Sequence, residues 1–302
     1  MEIRQNLHIH SHNSCDSACA SLRDIVSDMQ ALGVKDFALT DHLHTRFNLP
    51  DIIAARQEFL ALGNIPGFRF GIEVTCATAW ECEKIRKRDY ASCYTTTVNG
   101  HKFQTMTPID GIMFDGPPGG ELCVDLTEEE VRELGIELVV GGVHKPNYTP
   151  LEEQPMIRDY FRQTMYLIEH PLVDVLAHPW DGLCFWSCDW IGLGRDRSKY
   201  NYQSLVHIPE SMTGEIAAAL KQYSKPAEIN TCWLRSYDEA YNRKWWEIMT
   251  SWRESGVKFT FGNDQHSAHP KPDEWEQMKL KLDEYGFTET DFVLPFKTAE
   301  PE

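Results

Sequence analysis

Six apolar runs of this chain each end in side chains that can hold a metal ion. His8 and His10 close the first, Asp41 and His42 the second, and Glu73 the third; His144 closes the fourth, His178 the fifth, and Asp264 with His266 the last. On a strand, His8-Ile9-His10 puts both imidazoles on the same side, so both can reach one cation. An acid such as Glu73 at the end of a buried strand is costly unless it is metal-bound or paired with a Lys or Arg. Taken singly, each of these residues also has a structural reading, as a satisfied core histidine or a salt-bridged acid. All six run ends together read as a multinuclear metal site. Gly141-Gly142, just before His144, suggest a close backbone approach or a bend.

The elements that must carry these residues alternate along the chain. Strands are predicted at 3–9, 36–40, 68–74, 136–143, 173–177, 227–230 and 257–262. Between them the pattern predicts helices. Ser21, Asp24 and Gly33 bracket the first, and further helices are predicted at 51–62, 152–169, 210–223, 237–254 and 271–285. A short helix opens with a Thr127/Glu130 capping box and stops at Gly135. Trp245, Trp246 and Trp252 fall on one helical pattern and are expected in the core. Seven strands separated by crossovers imply a parallel sheet. Ligands at nearly every strand's C-terminal end favour a closed barrel, which gathers those ends at one face. The expected fold class is therefore α/β, a distorted (β/α)7 TIM-like barrel. A single domain over 1–302 is expected, with irregular insertions over the C-terminal mouth at about 75–126 and 180–209. Asn99-Gly100 in the first insertion predicts a hairpin turn.

Composition limits the partners. The 302 residues suffice for one large core. A formal charge of −17 argues against a basic footprint for long nucleic acid. A small phosphorylated substrate remains compatible, because a metal cluster supplies local positive charge. The nine cysteines, with no signal-peptide pattern at Met1-Glu2-Ile3-Arg4, suggest free thiols in a reducing cytoplasm. Cys15/Cys19 and Cys184/Cys188 do not have the spacing of a structural zinc site. No apolar stretch approaches the ~18 residues of a membrane helix, so no membrane partner is expected. The oligomeric state is not legible.

His8-Ile9-His10 with Ser14, Thr40-Asp41-His42, Gly71-Ile72-Glu73, His144, Ala177-His178-Pro179 and Gly262-Asn263-Asp264-Gln265-His266 together resemble the PHP (polymerase and histidinol phosphatase) superfamily. The resemblance spans residues 8 to 266. It implies a (β/α)7 barrel, three divalent ions (Zn, Mn or Fe) and phosphate-ester hydrolysis. Carried over residue by residue, it gives the first metal His8, His10, Glu73 and Asp264. The second takes bridging Glu73, His144 and His178. The third takes His42, His266 and Asp16, with His12 as the alternative to Asp16. Three divalent ions against three carboxylates leave the mouth positive and attractive to a phosphomonoester. A metal-bridging hydroxide is the expected nucleophile, with no covalent intermediate. Asp264 or Asp16 would orient it, and Asp41 would orient His42.

Glu228-Ile229-Asn230-Thr231-Cys232-Trp233-Leu234-Arg235 resembles the E-x-N-T-x-x-x-R segment of histidinol phosphatases. The resemblance makes Arg235 the expected phosphate ligand, since guanidinium binds phosphate in bidentate fashion. Glu228 would contact the substrate amine or serve as a structural acid, and Lys145 would add a cation at the mouth. The chain departs from that branch by inserting about fifty residues between the third and fourth strands. It also places Trp180, Phe185, Trp186 and Trp190 after His178, either as a pocket wall or as a packed lid. The run 84–88 reads as a solvated basic face. His44, His101, His170, His207 and His269 have no partner signal. The leading expectation is a phosphomonoesterase, with L-histidinol phosphate as substrate. A phosphodiesterase or exonuclease on short nucleotides, and a non-catalytic metal-binding domain, are the alternatives.

Overall fold

A computed structural model describes residues 1–16, 18–89, 95–98, 101–104, 108, 110–113, 116–150, 152–180, 207–230 and 239–296. Seven strands build the barrel: β1 (Gln5–Ile9), β2 (Asp36–Leu39), β4 (Phe68–Thr75), β9 (Leu138–Gly142), β10 (Val175–Leu176), β11 (Ala227–Asn230) and β12 (Phe259–Gly262). Each pairs in parallel with the next in that order. Past the end of β12, the Asp264 amide donates to the His8 carbonyl at 2.9 Å and the His10 amide to the Gln265 carbonyl at 3.1 Å. A parallel bridge between Ile9 and Gln265 sits there as well. These bonds bring the last strand back to the first and nearly close the barrel, as the alternation predicted.

Period two sorts the strand residues by face. Ile72 and Val74 of β4, Ile229 of β11, and Phe259 and Phe261 of β12 pack into the large core under the helices. Their neighbours Glu73, Thr75, Glu228, Asn230 and Gly262 point the other way, toward the barrel axis. Helices α1 (Leu22–Ala31), α2 (Leu49–Ala61), α5 (Glu153–Glu169), α6 (Glu210–Gln222), α7 (Glu239–Glu254) and α8 (Pro272–Glu284) cover the outside. Ser21 caps α1 by accepting from the Asp24 amide. Trp245, Trp246 and Trp252 of α7 are buried, as their spacing implied.

The first insertion is more ordered than its composition suggested. It contains α3 (Ala79–Lys87), capped by Thr78, and a short pairing of β5 (Ala77–Thr78) with β8 (Leu122–Cys123). The expected hairpin is present as antiparallel β6 (Thr95–Val98) and β7 (His101–Gln104), with Val98 opposite His101; Asn99-Gly100 lie outside the described residues. The basic run is the last turn of α3 and its immediate C-terminal flank. Lys87 pairs with Glu83, Lys84 with Asp89, and Arg86 with the buried Asp125 at 2.7 Å. Cations there also suit the negative end of the helix. A two-residue strand, β3 (His42–Leu43), pairs with the end of β4 and sets His42 directly opposite Glu73. The expectations for Phe185, Trp186, Trp190, Cys184 and Cys188 fall outside the described residues. Among the described cysteines, Cys15, Cys19, Cys76, Cys82 and Cys123 are free thiols. No described helix is long and apolar enough to cross a membrane.

Helix α4 (Glu128–Leu134) opens with both halves of the Thr127/Glu130 capping box. Thr127→Ala removes it from an exposed position. The substitution should cost about 1 kcal/mol, read as a lower urea midpoint at unchanged m-value.

Candidate metal centre

The C-terminal ends of the strands deliver one carboxylate into a ring of imidazoles. Glu73 is fully buried. Its Oε2 lies 3.0 Å from His8 Nε2, 3.5 Å from His10 Nε2 and 3.0 Å from His42 Nδ1. Its Oε1 lies 2.9 Å from His144 Nε2 and 2.8 Å from His178 Nε2. The Lys or Arg salt bridge weighed for Glu73 is absent among the described residues; five histidines take its place. Asp264 Oδ1 faces His10 Nε2 at 3.1 Å, His266 Nδ1 at 3.5 Å and His8 Nε2 at 3.6 Å. Asp16 Oδ2 faces His42 Nε2 at 3.1 Å and also contacts His266 Nε2. His12 is turned away, half-exposed against Glu58 at 3.3 Å. Of the two alternatives for the third group, the structure therefore brings Asp16 to the cluster.

Three sets of donor atoms lie close enough to share an ion: His8, His10 and Asp264; His10, Asp16, His42 and His266; and His42, Glu73 and His144. All nine residues expected as ligands converge, but their grouping differs from the sequence expectation. His10 touches two sets, and His42 spans two by turning Nδ1 to Glu73 and Nε2 to Asp16.

Electrostatics show what such a cluster requires. Burial opposes charge on His8, yet Glu228, Glu73 and Asp264 override it and raise its pKa. Burial likewise opposes charge on His42, but Glu73 and Asp16 raise it to about 10. His10, pushed down by burial and by its neighbours His42 and His266, falls to about 3. Burial disfavours the Glu73 carboxylate, and the surrounding His8, His144 and His42 hold it well below the usual range. No described Lys or Arg pairs with Glu73, Asp264 or Asp16. Buried Asp16 Oδ1 has no hydrogen-bond partner among the described residues. Nitrogen and carboxylate donors, buried and needing positive charge, fit divalent cations such as zinc, manganese or iron.

The backbone is shaped to this end. His178 and Asp264 both have positive φ, 24° and 49°, a conformation that non-glycine residues hold only where the surroundings impose it. The carbonyls of His178, Pro179 and Trp180 accept from Tyr160 Oη (3.3 Å), Trp245 Nε1 (2.9 Å) and Tyr241 Oη (2.8 Å). A Cβ on Gly142 would come within 2.6 Å of Glu73 Oε1, and one on Gly262 within 2.0 Å of Glu228 Oε1. Close approach is thus the reason for glycine at these strand ends.

Glu228 takes the second of its two expected roles, that of a structural acid, while Lys145 and Asp41 take roles other than those expected. Glu228 accepts from His8 Nδ1 at 2.8 Å through Oε1, and from the His178 amide at 2.8 Å through Oε2. It stands behind two residues of the cluster, bonding the His8 ring and the His178 backbone. Lys145 is buried, donating to Glu81 Oε2 and the Met113 carbonyl, both at 2.9 Å. Its charge is matched within the first insertion rather than free at the mouth. Asp41 binds the amide and hydroxyl of Ser11 at 2.6 and 2.7 Å, so it shapes the turn after His10 and does not orient the His42 ring. Arg235 lies outside the described residues. His44, given no role by its sequence, is buried and stacked on His42 with ring centroids 4.4 Å apart. The spacing His42-Leu43-His44 repeats that of His8-Ile9-His10 and was the available signal.

A parallel barrel with a buried histidine–carboxylate cluster at its C-terminal mouth defines a class of metal-dependent PHP barrels. The model of the PHP domain matches residues 6–285, and the chain belongs to that family. Within it, the relatives are histidinol-phosphatase-like. The probable histidinol-phosphatase of Thermotoga maritima is 22% identical over 282 residues, covering 93% of this chain and 92% of that protein. The histidinol phosphate phosphatase of Lactococcus lactis, solved with zinc, L-histidinol and phosphate, superposes with a TM-score of 0.58. It is 15% identical, covering 97% of this chain and 96% of that one. A putative histidinol phosphatase of Listeria monocytogenes gives 0.54 at 13% identity, covering 87% and 96%. At these identities the structural likeness establishes the shared fold.

Glu228→Gln keeps the side-chain shape but gives His8 a neutral partner. Metal affinity, measured by competition with a chelator, should fall about 10- to 100-fold.

Proposed function

We propose that this protein is a metal-dependent phosphatase that hydrolyses a small phosphomonoester, with L-histidinol phosphate as its substrate. The observation that carries the proposal is the convergence of nine imidazole and carboxylate ligands around Glu73 at one barrel mouth. Its similarity to histidinol phosphatases along nearly the whole chain supports the substrate, as does the E-x-N-T-x-x-x-R string that begins at Glu228.

Three divalent ions are proposed, held by His8, His10, Asp16, His42, Glu73, His144, His178, Asp264 and His266. When bound, they supply Lewis acidity and lower the pKa of water toward neutrality. The protein's own groups do the rest. Asp264 or Asp16 would aim the attacking water in line with phosphorus and accept its proton, which returns to the alcohol oxygen released as the ester P–O bond breaks. Arg235, five residues past the end of β11, grips the phosphate through two parallel N–H···O bonds. Glu228 acts through His8 and His178 rather than on the substrate amine, and Lys145 is left to the first insertion.

Protein loaded with manganese or zinc should release phosphate from L-histidinol phosphate with a kcat of roughly 1–1000 s⁻¹. His8→Ala should be inactive. An enzyme that holds metal but is inert on this ester would refute the substrate and leave the metal centre standing. Arg235→Ala should raise KM by roughly 10- to 100-fold, the worth of a charged hydrogen bond. An unchanged kcat/KM would remove Arg235 from the substrate site.

A further inference from the structure

Behind the ligand His144 lies a hydrogen-bonded chain that ends on His44. The Nδ1 of His144 is 2.7 Å from Thr75 Oγ1, and the same hydroxyl is 2.5 Å from His44 Nδ1. Both His44 and Thr75 are 1% exposed, so water does not compete for these bonds. Thr75 is the last residue of β4, two beyond Glu73, and alternation puts it on the same face as Glu73. Its register partner on β9 is Gly142, two residues before His144. His44 follows β3 and is wedged between two ligand rings. It stacks on His42 at 23° and meets His144 edge-on, with centroids 5.1 Å apart.

We infer that Thr75 and His44 are positioning residues that fix the tautomer and ring orientation of His144 for metal binding. The inference rests on the reading of His144 as a ligand. His144 turns Nε2 to Glu73 Oε1 at 2.9 Å, into the cluster. For Nε2 to offer its lone pair to a cation, the neutral ring must carry its proton on Nδ1. That Nδ1–H then donates to Thr75 Oγ1. The threonine has one proton of its own, which it donates to the bare Nδ1 of His44, leaving His44 protonated at Nε2. Each of the two bonds joining His144, Thr75 and His44 then has one donor and one acceptor. The opposite direction puts the proton of His144 on Nε2, the nitrogen that must be bare to bind a cation. Ligands of metal sites depend on such outer partners for both geometry and basicity. Glu228 serves His8 in this way from one side of the centre, and the Thr75–His44 chain serves His144 from the other.

The test compares Thr75→Val, which keeps the shape and loses the hydroxyl, with Thr75→Ser, which keeps the hydroxyl. His44→Phe and His44→Asn form a second pair, the first without an acceptor and the second with one near the Nδ1 position. Each protein is dialysed against graded chelator, its retained metal is counted by mass spectrometry, and folding is verified by thermal unfolding. Thr75→Val and His44→Phe should retain metal about 10- to 100-fold less tightly at one site, while Thr75→Ser and His44→Asn stay within a few-fold of the parent. Equal retention by all variants would overturn the inference. So would equal loss in Thr75→Ser and Thr75→Val, which would mean packing rather than the hydroxyl. A parent protein that retains no metal would instead refute the proposed function on which the inference rests.

Discussion

A single buried carboxylate organises this protein. Glu73 carries its charge in a place where a lone carboxylate would be expensive, and five imidazoles close around it. The cost of burying that charge is met only if the surrounding histidines, or the cations they are suited to hold, stay within a few ångströms. The strand ends that deliver those histidines are therefore tied to one another through the site as well as through the barrel's hydrogen bonds. The barrel gathers the ends of β1, β4, β9, β10 and β12, and the two-residue strand β3 brings His42 opposite Glu73.

Local irregularities follow from the same constraint. His178 and Asp264 adopt positive φ because a regular strand end would aim their side chains elsewhere. Tyr160, Trp245 and Tyr241 stabilise one of these turns by donating to three successive carbonyls. Gly142 and Gly262 leave the space that Glu73 and Glu228 fill. Glu228 ties β11 to His8 on β1 and to the amide of His178, so strands on opposite sides of the barrel share one carboxylate. The first insertion is anchored separately, by the buried Glu81–Lys145 pair and by Asp125 with Arg46 and Arg86. A buried ion pair is weak support for stability but a strict condition on geometry, because either partner alone would be left with an uncompensated charge.

The negative chain and its positive-seeking centre are not in conflict. The net charge of −17 belongs to the whole surface. At the mouth, carboxylates are outnumbered by imidazoles, and the field there is set by groups within a few ångströms, where solvent screening is weak. With the proposed cations bound, the mouth would be positive while the surface as a whole stays acidic.

Much of this was legible in the sequence. Period-two alternation, capping boxes and crossover lengths define the seven strands and their helices, and the run-ending histidines and acids mark eight of the nine residues that converge, because these are local signals; Asp16 ends no apolar run and enters only through the family resemblance. What only the tertiary structure decided were relations between distant segments. The sequence marks Glu228 as a chemical residue, but only the register of β11 beside β12 sets it against His8. Lys145 follows His144 directly, yet packing of the first insertion gives it to Glu81. Asp16 and His12 are indistinguishable by spacing, and the turn after β1 aims one at His42 and the other at Glu58. His44 shares the H-x-H spacing of His8 and His10, but it ends no apolar run of its own, so only its packing on His42 reveals its place in the cluster. Composition and periodicity report on which face a residue lies; which partner it meets across the barrel depends on three-dimensional closure.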